Sequence, residues 1–354
     1  MTPFFSIIIP LYNAETFIES AVKQLVHQTY TGCELIFSVD GSPDKSFEIA
    51  SLIASKYKNI RVIHQENQGP GVARNNALKI ANGEYILFLD VDDLYSTSLL
   101  STIKSYIDDY TPDVLAYSYI EHNHIGNYDL SCVYKPYIAV NNHEIRRLFN
   151  DYFVRLPFNN GFAWNRAYRK SFLIENSIFF GKQRIQEDEL FNIKVYQAAS
   201  SMVTIPEILY TYVIHSSNSI FRFNPSLFWD YCDVDKGLSE LYDYWTLDSV
   251  YALKYKYIRH YNAIINSIRN LTLNLDKDAN YSIDDIINHC STLRTIAAIQ
   301  ANSWTDSCKY FKILKAQRLT ELAVRLKFAH KINITKKWLK THFTQPRIFT
   351  YCKL

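Results

Sequence analysis

Apolar runs alternate with amphipathic stretches over the first 120 residues of the chain. The short apolar runs predict five β-strands, at residues 5–10, 34–39, 60–65, 85–89 and 114–120. Helical periodicity between them predicts helices at residues 12–30, 46–57, 71–81 and 96–110. Continuous apolar strands separated by helices favour an α/β fold with a mostly parallel sheet, flanked by helices on both faces.

The pattern changes beyond residue 120. Residues 121–220 are irregular and rich in aromatic side chains, and from Pro225 onward the periodicity is helical nearly throughout. We therefore expect an α/β domain over residues 1–220, followed by a mainly helical C-terminal region over residues 221–354.

Composition indicates a folded, soluble protein. Of the 354 residues, 48% are hydrophobic and 21% charged. No apolar run approaches the roughly 20 residues of a membrane-spanning helix. The first residues do not resemble a signal peptide, and the six cysteines show no C-x-x-C spacing. We expect reduced thiols and a cytoplasmic location.

Positive charge is concentrated at the C-terminus. The net charge is +3, but the segment from Lys309 onward contains 12 Lys or Arg and one Glu. Apolar residues recur there near helical spacing, at Leu314, Leu319, Leu322, Val324 and Leu326. Such a basic amphipathic tail is compatible with packing on the rest of the protein, with an oligomerisation surface, or with peripheral contact to an anionic membrane at the inner face of the cell. Nucleic acid is not an expected partner, because no recognition motif accompanies the charge.

Polar segments follow three of the predicted strands, at residues 10–13, 40–42 and 90–93. In an open parallel sheet, ligands bind at the carboxyl ends of the strands. The last segment carries Asp90, Asp92 and Asp93, and oxygen ligands suit Mg²⁺ or Mn²⁺ bound together with a diphosphate. The alternative is that Asp92 and Asp93 cap the next helix and that Asp90 is a solvated strand end.

Five motifs, in their order and spacing, resemble the family 2 glycosyltransferases, which have a GT-A fold. They are S-I-I-I-P-L-Y-N-A-E, V-D-G-S-P-D, N-Q-G-P-G-V-A-R-N, G-E-Y-I-L-F-L-D-V-D-D and Q-E-D-E-L-F-N, within residues 3–220. The resemblance implies a nucleotide-sugar donor, an Mn²⁺ or Mg²⁺ cofactor, and inversion at the anomeric carbon. It assigns the nucleotide to residues 1–120 and the acceptor to residues 121–220. A glycan or lipid-linked acceptor in bacterial polysaccharide, lipooligosaccharide or protein-glycan synthesis is the implied setting.

Residue by residue, the resemblance implies a nucleotide site made of Pro10, Tyr12, Asp40, Arg74 and Asp90. Asp92 is implied as the direct metal ligand, with Asp90 near the waters of the metal. In Y-T-Y-V-I-H-S-S-N-S-I, the weaker match to a late family segment makes His215 a further candidate ligand.

The general base and the acceptor site are implied further along the chain. Asp188, in E-D-E-L-F, matches the base that takes the acceptor proton. Glu187 and Trp164 are the expected acceptor contacts, since an aromatic face can stack on a sugar ring. Structural alternatives stay open: Tyr12 or Trp164 can pack in the core, Arg74 and Asp188 can lie on helix surfaces, and His215 can be an ordinary packed or surface histidine.

One position departs from the family pattern. Where the family has two acids before Gly-Ser, this chain has Val39 and Asp40. A side-chain acceptor for a uracil N–H is therefore missing, so either a backbone carbonyl replaces it or the donor is not UDP-linked. We expect a UDP-linked hexose or N-acetylhexosamine donor; the alternative is a catalytically degenerate nucleotide-binding or scaffold protein of the same fold.

Overall fold

The computed structural model describes residues 2–153, 161–216, 218, 222–274, 276–308, 310–315, 322, 325 and 326. In the first 123 residues the elements are β1 (Phe5–Leu11), α1 (Ile18–Val26), β2 (Cys33–Asp40), α2 (Ser46–Ala54), β3 (Ile60–Gln65), α3 (Pro70–Ile80), β4 (Tyr85–Phe88), β5 (Leu94–Tyr95), α4 (Leu99–Tyr110) and β6 (Val114–Asn123). Each of the five predicted strands is present, with ends within three residues of the prediction.

The second half of the chain adds short strands and then helices. Up to residue 214 these are β7 (Tyr128–Cys132), β8 (Tyr137–Ala139), α5 (Asn142–Asp151), β9 (Arg166–Arg169), α6 (Lys170–Glu175), α7 (Glu187–Ala198) and β10 (Met202–Ile214). The C-terminal region contains α8 (Leu227–Trp245), α9 (Val250–Leu273), α10 (Ile283–Asn288), α11 (Cys290–Ala301), a short 3₁₀ helix (Trp304–Ser307) and α12 (Phe311–Lys315).

The strands form one sheet in the order β3-β2-β1-β4-β9-β6-β10-β5, with β7 beside β6 and β8 beside β10. β3, β2, β1 and β4 are parallel, as predicted, and helices α1, α2 and α3 connect them. β9 is inserted antiparallel between β4 and β6. Since β1, β2 and β4 run the same way, the polar segments that follow them meet at one edge of the sheet.

The first helix begins later than its periodicity predicts, at Ile18 and not at Tyr12. The backbone N–H groups of Asn13, Ala14 and Glu15 donate to Ser42 Oγ, Ser46 Oγ and Asp44 Oδ2 at 2.8, 3.0 and 3.0 Å. These side chains come from the loop after β2 and from the first residue of α2, and they accept from backbone groups that the predicted first helical turn would have used. The loops after β1 and β2 are thereby fixed to each other.

The longest strand, β10, is not predicted by the sequence pattern. It pairs in parallel with β6 from Met202 to Ile214, with irregularities between Ile205 and Tyr210. The bulged segment contains Pro206, which cannot donate to a ladder and interrupts the alternation that would reveal a strand. This strand leads directly to His215.

The C-terminal helices have a second hydrophobic cluster of their own. The C-terminal half of α8 packs into the main core through Leu238, Leu241 and Trp245, whereas Leu227 and Phe228 at its start belong to the second cluster. A division of the chain near residue 220 stays a prediction.

Part of the basic tail packs onto the second cluster. Leu314, Leu322 and Leu326 are at most 2% exposed there. Packing on the protein is therefore observed for these three leucines. Leu319, Val324 and the tail beyond residue 326 lie outside the described residues.

Two further sequence-based expectations concern membranes and cysteines. In the described part of the chain, no helix is both long and apolar enough to cross a membrane. The cysteines described there, Cys33, Cys132, Cys232, Cys290 and Cys308, form no disulfide bond with one another.

Asp113 joins the ends of three strands and provides a test of the fold. Its buried carboxylate accepts hydrogen bonds from Ser200 N, Ser200 Oγ and Ser201 N at 2.8, 2.7 and 3.1 Å, and it pairs with Arg169. Although burial opposes it, hydrogen bonds from Arg169 and Ser200 lower the pKa of Asp113. Asp113 therefore stabilises the fold at neutral pH, and this contribution is lost as the pH falls through its lowered pKa.

We expect Asp113→Ala to lower the free energy of unfolding by about 3 kcal/mol at pH 7, because it leaves buried donors unpaired. Urea unfolding measures this, and the difference from wild type should shrink below pH 4. The exposed Asp109→Ala on α4 is the control, with an expected change within about 0.5 kcal/mol. A similar loss in both variants would contradict the assigned role.

Candidate active site

The loops after β1 and β2 form one side of the site. Tyr12 is 41% exposed, so its ring is not packed beneath α1. Burial opposes the charge on Asp44, yet hydrogen bonds from Ser42, Ser46 and Glu15 N lower the pKa of its carboxyl to about 2. The loop that carries Tyr12 is thus held by a charged acceptor, while the tyrosine ring faces solvent.

Asp40 is placed at this edge but is engaged within the protein. Its carboxylate accepts from Gln65 Nε2, Gln68 N and Gly69 N at 2.7, 2.8 and 2.8 Å, and the residue is 3% exposed. Asp40 therefore holds the loop in front of α3. Val39 beside it is fully buried, so its side chain is not exposed to a nucleotide base.

Arg74, on the first turns of α3, connects two acidic segments that are far apart in sequence. Its Nη2 donates to Asp90 Oδ1 and its Nη1 to Glu187 Oε1, both at 2.8 Å. The guanidinium lies 5.3 Å from the ring centroid of Phe180, and the residue is 6% exposed. Arg74 is a buried ion-pair residue and not a surface cation.

Close backbone approach makes this bridge possible. A side chain at Gly71, on the same helix, would place its Cβ 2.6 Å from the carbonyl oxygen of Gly181 and 3.3 Å from Glu187 Cγ. Glycine is therefore required where α3 meets the segment that leads into α7.

Asp93 ties the loop after β4 to β10. Its carboxylate accepts from Tyr210 Oη at 2.5 Å and from Val213 N at 2.7 Å. Burial, together with Asp92 and Asp90, raises the pKa of Asp93 well above that of an ordinary carboxyl. Helix α4 begins at Leu99 after Ser98, so neither Asp92 nor Asp93 caps it.

The connection through Asp93 brings His215 to Asp92. His215 Nε2 and Asp92 Oδ2 are 2.8 Å apart, and Asn218 Nδ2 donates to the same oxygen at 3.3 Å. The imidazole stacks on Phe17, with ring centroids 5.4 Å apart. Burial and the neighbouring Asp90 raise the pKa of Asp92, so a cation beside this carboxylate would stabilise its charged form.

These donors fit a hard divalent cation. The separation of Asp92 Oδ2 and His215 Nε2 is close to the spacing of about 2.9 Å between adjacent ligands of an octahedral ion with bonds of about 2.1 Å. Within the described residues, no three His, Cys, Asp or Glu side chains are already grouped as a metal site. The protein would therefore supply one or two ligands, as is usual for Mg²⁺ and Mn²⁺ held jointly with substrate phosphates.

Asp188 lies in the first turn of α7, between two acids that are paired with cations. Glu187 pairs with Arg74 and Glu189 with Arg259, whereas no ion pair of Asp188 is found in the described part of the chain. Among the residues that the structure describes, the hydrogen bond found to Asp188 Oδ1 is donated by Glu189 N at 2.8 Å. Burial, then Glu187, raise the pKa of Asp188 well above that of an ordinary carboxyl. A carboxylate that binds protons more readily than usual suits a general base.

The two expected acceptor contacts are both buried. Glu187 is 6% exposed, and its carboxylate accepts a hydrogen bond from Arg74. Trp164 is 4% exposed, and its ring stacks on Tyr210 and Phe162 at centroid distances of 4.5 Å each. These positions correct the sequence-based expectation: Trp164 belongs to the core, and Glu187 supports the site from within.

The comparisons with known proteins concern the family and the fold of the chain. The model of "Glycosyl transferase family 2" matches residues 6–174. The chain is 33% identical over 233 residues to the putative glycosyltransferase EpsH of Bacillus subtilis, covering 64% of this chain. The chain carries a family 2 glycosyltransferase domain of the GT-A type.

Solved structures share the fold of this chain. A crystal structure of S. aureus TarS 1-349 in complex with UDP-GlcNAc covers 93% of this chain and 92% of its own, with a TM-score of 0.62 at 20% identity. The mannosyltransferase PcManGT from Pyrobaculum calidifontis, in complex with GDP-Man and Mn²⁺, covers 92% and 86%, with a TM-score of 0.51 at 15% identity. The chain spans about 65% of the length of EpsH.

Several residues of this candidate site escape prediction from the sequence. Asn218 and Phe17 hold Asp92 and His215 in place, and Arg259 pairs with Glu189. Asn218 follows His215 within one short polar motif, which is the only available signal. The other two act across more than 60 residues of sequence and give no local pattern.

Arg74→Met should destabilise the protein by about 3–5 kcal/mol at pH 7.5, because it leaves Asp90 and Glu187 without their cation. Burial raises the pKa of Glu187, and Arg74 opposes this shift, so without Arg74 protonation of Glu187 at lower pH relieves part of the loss. We expect a smaller difference from wild type at pH 5 in urea unfolding. Lys236→Met, which breaks an exposed pair with Glu240, should change stability by less than about 0.5 kcal/mol at both pH values. An Arg74→Met deficit that grows on acidification would contradict the ion-pair assignment.

Proposed function

We propose that the protein transfers a sugar from a nucleotide-sugar donor to a hydroxyl group of a glycan or lipid-linked acceptor, with inversion at the anomeric carbon. The observation that carries the proposal is the bridge made by Arg74. It joins Asp90, two residues from Asp92, to Glu187, the neighbour of Asp188. One buried cation thereby brings the donor-side acids and the candidate base to one edge of the sheet.

The candidate base removes the proton from the acceptor. The hydroxyl oxygen attacks the anomeric carbon from the face opposite the nucleotide, the bond to the diphosphate breaks, and the hydroxyl proton passes to an oxygen of Asp188. The raised pKa of Asp188 improves the match with the acceptor hydroxyl, although the residue must be ionised to act.

Arg74 and Asp90 contribute on the donor side. With two carboxylates as partners, Arg74 keeps its charge, and we assign its electrostatic field to the diphosphate. Asp92, together with His215 and Asp90, would hold Mn²⁺ or Mg²⁺, which supplies Lewis-acid stabilisation of the departing diphosphate. Pro10 and Tyr12 are assigned to the nucleoside, with the exposed Tyr12 ring against the base.

More than one nucleotide sugar is bound by proteins of this fold. Similar folds are known with UDP-GlcNAc and with GDP-Man. Val39 provides no polar atom for the base, and Asp40 already accepts three hydrogen bonds. We propose a UDP-linked hexose or N-acetylhexosamine, with the base recognised through backbone groups. Surface polysaccharide, lipooligosaccharide or protein-glycan synthesis is the proposed setting.

Asp188→Asn should reduce turnover by about 10²–10⁴-fold while leaving donor affinity nearly unchanged, because the amide keeps the shape but cannot accept a proton. Release of nucleotide from a panel of nucleotide sugars, with an oligosaccharide acceptor mixture, measures turnover. Calorimetric titration measures donor affinity. The exposed Glu175→Gln on α6 is the matched control and should behave as wild type. Full turnover by Asp188→Asn would exclude Asp188 as the base.

Asp92→Ala should abolish the part of nucleotide binding that depends on the metal. In a thermal-shift screen of UDP, GDP, CDP and dTDP, Mn²⁺ should add to the Tm increment of wild type for the preferred nucleotide, and EDTA should remove the addition. Asp92→Ala should show the smaller Tm increment, the one that wild type shows with EDTA, both with Mn²⁺ and with EDTA. If nucleotide stabilises wild type equally with chelator, the metal assignment is wrong; if no nucleotide stabilises wild type, the donor proposal is wrong.

A further inference from the structure

The start of α7 adopts a conformation that its own sequence does not stabilise. Gln186, directly before the helix, has a left-handed backbone conformation with φ 61° and provides no side-chain cap. A non-glycine residue in this region costs free energy and needs support from its surroundings. Glu187, Asp188 and Glu189 follow, so three carboxylates crowd one helical turn.

Arg259 supplies that support from the C-terminal helices. From α9, its Nη2 donates to Gln186 Oε1 at 2.9 Å, and the same nitrogen forms an ion pair with Glu189. The side chain of Glu189 is 6% exposed and that of Arg259 is 16% exposed, so water screens the pair only weakly. One guanidinium thus contacts residues on both sides of Asp188 in sequence.

α8 reinforces the same contact. Gly237 allows close packing, since a Cβ there would lie 2.8 Å from Leu190 Cδ1 on α7. Gln183, ahead of α7, donates to Asp233 Oδ2 at 2.7 Å. Helices α8 and α9 therefore contact the segment that carries Asp188. Both helices lie beyond residues 6–174, the part matched by the family model.

We propose that Arg259 is a positioning residue for the base Asp188: it fixes the first turn of α7 through Gln186 and neutralises the charge of Glu189. The proposal rests on the role assigned to Asp188 under the proposed function. It makes the C-terminal helices part of the candidate active site. Arg259 pairs with Glu189 as Arg74 pairs with Glu187.

The electrostatic consequence follows from the groups that face Asp188. On α7 these are Glu187 and Glu189; Arg74 faces it from α3, and Tyr168, a neutral phenol, faces it from β9. Arg74 and Arg259 compensate the two flanking carboxylates. Loss of the charge on Arg259 leaves Glu189 uncompensated and should favour the protonated form of Asp188. Loss of the charge on Glu189 leaves Arg259 uncompensated and should favour the ionised form.

The test measures kcat/KM for nucleotide release as a function of pH, in the full-length protein with Mn²⁺. It compares, between wild type and variants, the pH at which kcat/KM falls on the acidic side, here called the acidic limb. We expect Arg259→Gln to move the limb to higher pH by about one unit, which is about a tenfold loss of rate below the limb. Glu189→Gln should move it to lower pH by a similar amount. Arg259→Lys restores the charge and should return the limb towards wild type. Lys236→Met and Glu240→Gln, which break an exposed pair on α8, should leave it unchanged.

Opposite shifts distinguish positioning from simple structural support, because broken packing would lower activity in both variants without moving the limb in opposite directions. Shifts of the same sign, or none, would overturn the proposal. Glu189→Gln alone is a sufficient test if Arg259→Gln does not fold, because a downward shift is expected only from charge coupling.

A second readout does not depend on turnover. In protein labelled with ¹³C at the aspartate carboxyl carbon, the Asp188 resonance is the one missing from Asp188→Asn, and its titration gives the pKa directly. The same opposite shifts are expected there. If wild type releases no nucleotide but the carboxyl titrations shift as expected, the proposed function fails and the coupling stands. Unshifted titrations in an active enzyme would overturn the coupling alone.

Discussion

The site depends on one buried guanidinium, that of Arg74. Carboxylates at a sheet edge and at a helix start repel each other and lose hydration on burial, so they can be brought together only around a positive charge. Arg74 provides this charge from α3 through a planar group that donates to Asp90 and Glu187 in two directions at once. Lysine, a point charge, could not hold both partners in a fixed geometry. Phe180 below the guanidinium and Gly71 beside it provide the space that this arrangement needs.

Other acids at the same edge are left without full compensation. Burial raises the pKa values of Asp92, Asp93 and Asp188, and neighbouring carboxylates raise them further. Asp44 and Asp113 have lowered pKa values, because hydrogen-bond donors outweigh the effect of burial. Burial also raises the pKa values of Asp230 and Glu121, so a raised pKa alone does not mark the site; Asp92 and Asp188 are distinguished by lying beside the bridge made by Arg74.

Two arginines, Arg74 on α3 and Arg259 on α9, pair with carboxylates in the first turn of α7. Arg74 lies within residues 6–174, which the family model matches, whereas Arg259 lies on α9, beyond that range. Asp188 lies between the two carboxylates that these arginines hold. The packing of α8 and α9 on α7 thus makes the C-terminal helices neighbours of the candidate catalytic centre, in addition to enclosing a hydrophobic cluster of their own.

Local patterns in the sequence determined the first half of the architecture. Apolar runs of strand length and the helices between them predict the parallel block β3-β2-β1-β4, because each run is bounded by its own turn residues. The order of the motifs likewise identifies Arg74, Asp90, Asp92, Asp188 and His215, which the structure brings to one edge. Only the tertiary structure decided that Trp164 and Glu187 are buried, that Pro206 lies within a bulged 13-residue strand, and that Arg259 reaches α7. These features rest on contacts between residues that are distant in the chain, and such contacts leave no trace in periodicity or spacing.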